Sequence, residues 1–211
     1  MALSTFVKVG GVTNLSDARY CAGMGVHLLG FGLEKEQPTY VAPEKFVAIT
    51  EWLAGVKFAA EFDTYSPTEI EQTLADYARI DYVQTSQPQQ AEALMGLGKP
   101  LIIRLDAREY DEDVVALADT MRGCRDRATY FLVDHSSPDP RPELVSDLLD
   151  LAQRHPILLG FGLRADWLPA LVQEHPLAGI ALRGSEEIKP GYQNFDQLAD
   201  ILEVLEVEDA S

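Results

Sequence analysis

The chain has 211 residues, 46% of them hydrophobic and 24% charged, enough for one α/β domain with a large core and short for two. Its formal net charge of −17 repels nucleic-acid phosphates and anionic lipid, so neither nucleic acid nor a membrane is an expected partner. No apolar run approaches the roughly 20 residues of a membrane span. MALSTFVKVGG lacks the regions of a secretory signal, and two cysteines, Cys21 and Cys124, suggest neither a disulfide framework nor a cysteine metal site. A cytoplasmic protein without cofactor or metal is the expectation.

Short apolar runs alternate with amphipathic stretches along the whole chain, the pattern of repeated βα units around a parallel sheet. The first strand is expected over 6–9, and a helix over 15–24 follows the capping residues Thr13 and Asn14 and ends near Gly25. A strand over 28–31 precedes a helix opened by Pro43 and running to Leu53. After a strand over 57–62, Ser66-Pro67-Thr68-Glu69 starts the third helix with a cap and an acidic first turn. The remaining pairs are strand 82–85 with helix 88–95, strand 101–105 with helix 112–121, and strand 130–133 with helix 142–153. Strand 157–159 with helix 165–173 and strand 180–182 with helix 194–204 complete the series. The strands are rich in Val, Ile, Leu and Phe, as expected of strands covered on both faces. The acidic tail, from about 205 to 211, is expected to fray. Eight strands with eight helices fit a single (β/α)₈ barrel over residues 1–211, although an open doubly wound sheet has the same periodicity.

Specific segments narrow the choice. Lys8-Val9-Gly10-Gly11-Val12-Thr13-Asn14, followed by a helix and then Gly30-Phe31, resembles the start of the phosphoribosylanthranilate isomerase family, which opens with Lys-Ile-Cys-Gly-hydrophobic-Thr. Pro38-Thr39-Tyr40-Val41-Ala42-Pro43-Glu44 is similar to the family's Pro-Arg-Tyr-Val-Ser-Pro-Glu segment, and Asp81-Tyr82-Val83-Gln84 to its Val-Gln-Leu-His strand. Phe131-Leu132-Val133-Asp134 resembles the strand that ends in the family's catalytic aspartate. The stretch from Gly179 to Gly191 keeps Glu187, Pro190 and Gly191 at the family's spacing. The resemblance runs in order from residue 8 to about 200 and implies a TIM barrel.

The resemblance also implies a chemistry, the Amadori rearrangement of an aminoaldose phosphate to an aminoketose phosphate. That reaction needs an acid to protonate the ribose ring oxygen and a base to take the proton from C2. In the family these are the aspartate of strand six and the cysteine of strand one, meeting at the C-terminal strand ends. Here the acid position is Asp134, but the base position is Gly10, which has no side chain. Other positions depart too. The family's substrate-binding arginine falls at Thr39 and its histidine at Ser86. The Ser-Gly-Gly-Leu phosphate turn becomes Gly160-Phe161-Gly162-Leu163, and the Ser-Ser-Gly loop becomes Arg183-Gly184-Ser185 after Ala181. The mobile glycine-rich loop after strand six is replaced by a shorter, proline-rich stretch, 136–142. Loss of a positioned base alone costs on the order of 10²–10⁴ in rate. The ancestral isomerisation is therefore expected to be lost or strongly weakened, with a small anionic ligand as the expected partner.

New polar residues lie near the same strand ends: Glu61, Asp63, Arg104, Asp106, Asp134, His135 and Arg183. Arg104 and Arg183 are candidates to bind an anion, the alternative being that each pairs with a carboxylate. Lys8, Gln84, Gly162 and Ser185 are the other candidate binding positions. Glu61 with Asp134 forms an acid–base pair if both point inward. His135 faces away from Asp134 on a regular strand. His27, His155 and His175 read as surface or loop residues, and Cys21 as core. An active isomerase with a relocated general base is one alternative; a non-catalytic scaffold or regulatory barrel, its mouth plugged by Phe31 and Phe161, is the competing function class.

Overall fold

A computed structural model describes residues 2–137, 140–184, 187–189, 192–193 and 196–207. Eight parallel strands close into a barrel: β1 (Val7–Gly10), β2 (Leu28–Gly32), β3 (Lys57–Phe62), β4 (Tyr82–Thr85), β5 (Leu101–Asp106), β6 (Tyr130–Asp134), β7 (Ile157–Leu159) and β8 (Gly179–Arg183). The closing seam pairs Val7 with Ile180 and Gly10 with Arg183, so the sheet is no open doubly wound one. Between the strands lie α1 (Leu15–Gly23), α2 (Pro43–Thr50), α3 (Pro67–Leu74), α4 (Ala91–Leu94), α5 (Val114–Gly123), α6 (Leu144–Ala152), α7 (Leu168–Glu174) and, after β8, α8 (Asp196–Glu203).

Local chemistry explains most boundaries. Asn14 caps α1 by accepting from the Asp17 N–H at 2.9 Å. Ser66 and Glu69 form a reciprocal capping box on α3, with the Ser66 N–H donating to the Glu69 carboxylate at 2.8 Å. Ser66→Ala is expected to cost about 1 kcal/mol, lowering the melting temperature by roughly 2–4 °C in thermal denaturation. On α5 the helix begins later than expected from the sequence. Asp113 is the N-cap, and Glu112 stands outside the helix at φ 56°. The fourth helix keeps only four α-helical residues, flanked by 3₁₀ turns over Pro88–Gln90 and Met95–Leu97, because Pro88, Gly96 and Gly98 interrupt it.

Two layers of side chains organise the molecule. The large apolar layer lies between strands and helices, where Phe31 meets Phe46 edge-on at 5.0 Å. Phe31 therefore faces α2 and does not plug the barrel mouth. A smaller cluster fills the lower barrel interior: Leu28, Ala59, Tyr82, Ile102, Leu132, Leu158 and Ala181, closed beneath by Phe6 and Tyr130. The tail also differs from expectation. Glu206–Val207 pairs antiparallel with Ala2–Leu3, and the Ser4 N–H donates to the Leu205 carbonyl at 2.8 Å, so the chain is tied down to Val207. Residues 208–211 lie outside the described set. Among the described residues no helix is long and apolar enough to cross a membrane.

Candidate functional site at the barrel mouth

Strand alternation dictates what stands above the apolar plug. Side chains on one strand return to the same face every second residue. Two positions beyond the plug residues come Gly30, Glu61, Gln84, Arg104, Asp134, Gly160 and Arg183, and two beyond Phe6 comes Lys8. The barrel interior thus changes from apolar to charged within one layer, toward the C-terminal strand ends where sites of such barrels form.

The first half of this layer is a buried ion pair. The Lys8 ammonium bonds the Glu61 Oε1, the two side chains being 2% and 15% exposed. Glu61 Oε2 accepts the Gly11 N–H at 3.0 Å, presented by a left-handed turn at Gly11 (φ 66°). The pair fits because two glycines leave room for it. A Cβ on Gly10 would lie 2.6 Å from Glu61 Oε1, and one on Gly30 would lie 2.9 Å from Lys8 Nζ. The Glu61 carboxylate therefore stands beside β1 in the space a side chain at position 10 would enter.

The second half is a chain of paired charges. Ser86 Oγ donates to Asp63 Oδ1 at 2.6 Å, and Arg104 reaches both at 3.4 Å. Arg104 Nε donates to Asp134 Oδ2 at 2.9 Å, and Arg183 donates to the same oxygen at 3.2 Å. Burial works against the Arg104 charge, but Asp134 together with Asp63 and Asp106 raises the guanidinium pKa above its usual value. Asp134 is 8% exposed, and its Oδ1 has no hydrogen-bond partner among the described residues. Both guanidiniums thus pair with carboxylates, although the Arg183 side chain remains 75% exposed.

Beside this layer, Asp106 accepts the Arg108 and Ser136 N–H groups at 3.0 and 3.2 Å. Burial would raise the Asp106 carboxyl, but these bonds hold it below the usual range. Glu34, 1% exposed, holds the loop after β3 by accepting from the Asp63, Thr64 and Tyr65 N–H groups. It fixes the base of Asp63, a supporting role that sequence inspection did not assign.

Gln84 is buried within this layer, and its Oε1 has no partner among the described residues. Gly162 takes a left-handed conformation (φ 66°) in the turn after β7, and Ser185 lies outside the described residues. His135 turns away from Asp134: Nε2 meets the Glu112 carboxylate at 2.9 Å and Nδ1 the Ser137 carbonyl at 2.8 Å. That leaves His135 without a path to the mouth as a replacement base. Phe161 rests on the His135 ring, centroids 5.6 Å apart. His155 lies in the loop before β7, one of the two placements expected, but it is buried there, 8% exposed with its ring edge-on to Phe131. Cys21 is core, its thiol pushed up to about 12 chiefly by burial. Among the described residues, no group of three or more His, Cys, Asp or Glu is placed to hold a metal ion.

A closed barrel with a charged interior layer at its C-terminal strand ends defines the class: a (β/α)₈-barrel protein with a polar mouth. No family model matches the chain. A curated N-(5'-phosphoribosyl)anthranilate isomerase of Maridesulfovibrio salexigens is 28% identical over 201 residues, covering 93% of this chain and 96% of its own. One from Chlorobium phaeobacteroides is 29% identical over 213 residues, covering 94% and 95%. Among solved structures, the phosphoribosyl anthranilate isomerase of Thermus thermophilus superposes with a TM-score of 0.73 at 26% identity, covering 95% of this chain and 98% of that one. Within its class the chain is similar along nearly its whole length to phosphoribosylanthranilate isomerases, and it carries glycine at position 10.

Proposed function

We propose that the barrel mouth binds a small anionic aminosugar phosphate and catalyses the family's Amadori-type isomerisation at a strongly reduced rate. The supporting observation is Asp134. It stands at the end of β6, almost buried, with Oδ2 held by Arg104 and Arg183 and Oδ1 uncommitted among the described residues. Two donors on one oxygen fix the carboxyl orientation and leave the other oxygen to meet the ring oxygen of a substrate. Arg183, mostly exposed, is the cation with the most freedom to turn toward a phosphate. The weakness follows from β1, where Gly10 supplies no thiol.

The test is loss of phosphoribosylanthranilate fluorescence on purified protein, beside Asp134→Ala and a cysteine-bearing family member. Turnover on the order of 10²–10⁴ below that member, abolished by Asp134→Ala, is the expected result. Turnover no higher than that of the alanine variant, in protein shown by circular dichroism to be folded, would retire the isomerase function. One observation favours a second function, binding without catalysis: Arg104 and Arg183 both close on the acid rather than on open space. Tight binding of a product analogue with no turnover would select it.

A further inference from the structure

We infer that Glu61 is the general base of this barrel, a carboxylate on β3 doing the work of the thiol absent from β1. The assignment rests on the isomerase function proposed above and adds the identity of the group that takes the C2 proton.

Three observations lead to it. First, position: a Cβ on Gly10 would lie 2.6 Å from Glu61 Oε1 and 3.5 Å from its Cδ, so the carboxylate occupies the volume that a thiol borne by position 10 would approach. Second, the volume is emptied on purpose by two strands. Gly10 on β1 and Gly30 on β2 both lack side chains at the same height, and a Cβ on either would overlap the pair. Third, Glu61 is held but not consumed. Oε1 takes Lys8 and Oε2 takes the Gly11 N–H, one donor on each oxygen. A carboxylate has about four lone-pair sites, so each oxygen retains one to receive a proton. At 15% exposure the side chain is reachable from the mouth, whereas Lys8 at 2% is not.

The step balances without any co-reactant. Asp134, once protonated from solvent on Oδ1, gives that proton to the ring oxygen as the C1–O bond breaks, and C1 becomes an iminium carbon with the substrate nitrogen. The C2 proton then passes to a Glu61 oxygen. The C2–H electrons form the C1=C2 bond, and the C1=N electrons return to nitrogen. The enaminol that results ketonises to the aminoketose, C1 taking a proton and the C2 hydroxyl giving one up. Lys8 and the Gly11 N–H are positioning groups: they aim the carboxylate and touch no reacting atom.

The same fluorescence assay tests it, with kcat and KM measured separately. Glu61→Gln keeps a carbonyl oxygen for Lys8 but removes the base. The expected result is a kcat lower by about 10²–10⁴ with KM changed less than about threefold. Gly10→Ala keeps Glu61 and Lys8 but fills the volume, displacing the carboxylate end, and should lower kcat in the same way. Gly10→Cys with Glu61→Ala places a thiol in the emptied space and should recover turnover above that of Glu61→Ala alone. A wild type that turns over while Glu61→Gln retains its kcat overturns the assignment of Glu61 and leaves the isomerase function standing. A folded wild type without turnover overturns both. Should Glu61→Gln fail to fold, full kcat in Gly10→Ala is enough to reject Glu61.

Discussion

Replacing Lys8 by methionine is expected to lower the melting temperature by roughly 6–12 °C. The Lys8 side chain is 2% exposed and its ammonium is bonded to Glu61 Oε1, so the substitution strands a carboxylate inside the barrel. Removing one member of a buried pair costs about 3–5 kcal/mol. The lower end applies here, because Glu61 keeps the Gly11 N–H and some solvent contact. For a domain of this size, each kcal/mol moves the melting temperature by roughly 2–4 °C. Replacing both partners tells a different story. Lys8→Met with Glu61→Met removes two desolvated charges together and should regain most of the loss. Differential scanning calorimetry on these two variants and on Glu61→Met alone measures the coupling. A single variant that melts within about 2 °C of wild type would show that the pair contributes nothing to holding β1 and β3 together.

Gly179→Ala should damage the barrel by another route. Gly179 opens β8 at φ 158°, and a Cβ there would fall inside van der Waals contact of the Phe6 carbonyl oxygen and lie 2.9 Å from its carbon. These are backbone atoms on the seam between β8 and the start of β1, where the Ile180 N–H bonds the same carbonyl at 2.9 Å. They cannot swing aside as a side chain would. The cost should reach roughly 3 kcal/mol, the upper end for overpacking, read as a lower urea midpoint with an unchanged slope. Gly96→Ala is the control, since nothing lies within 4 Å of its Cβ, and it should stay within about 0.5 kcal/mol. Equal midpoints for the two variants would reject this account of Gly179.

The barrel strands were legible from sequence because each is buried on both faces and appears as an unbroken apolar run. Expected and observed strand limits differ by no more than one residue at any end. Helix starts were harder. The seventh helix was placed from residue 165, yet α7 begins at Leu168, with Pro169 in its first turn. That proline was the available signal. At the site, Asp134 and the empty position 10 could be found by local resemblance. The Glu61–Lys8 pair could not, because β1 and β3 are not neighbours. Their side chains meet across β2, about 10 Å of sheet, and the missing side chains of Gly10 and Gly30 let them. Such a contact depends on the stagger of a closed barrel, which no single segment encodes. The inward polar layer, by contrast, was recoverable by counting two residues beyond each plug residue. The pairing of Arg104 and Arg183 on one oxygen was only one of two alternatives until the register was known.

The short ladder between residues 2–3 and 206–207 has a consequence for how this protein can be rewired. It lies beneath the barrel, at the end opposite the charged layer, and brings residues near both ends of the chain side by side. A peptide linker spanning that gap would make a circular backbone without threading past the mouth. New ends could then be opened in any helix-to-strand connection on the same lower side. The charged layer and the joined ends are thus on opposite poles, and sequence in one can be rewritten without reopening the other.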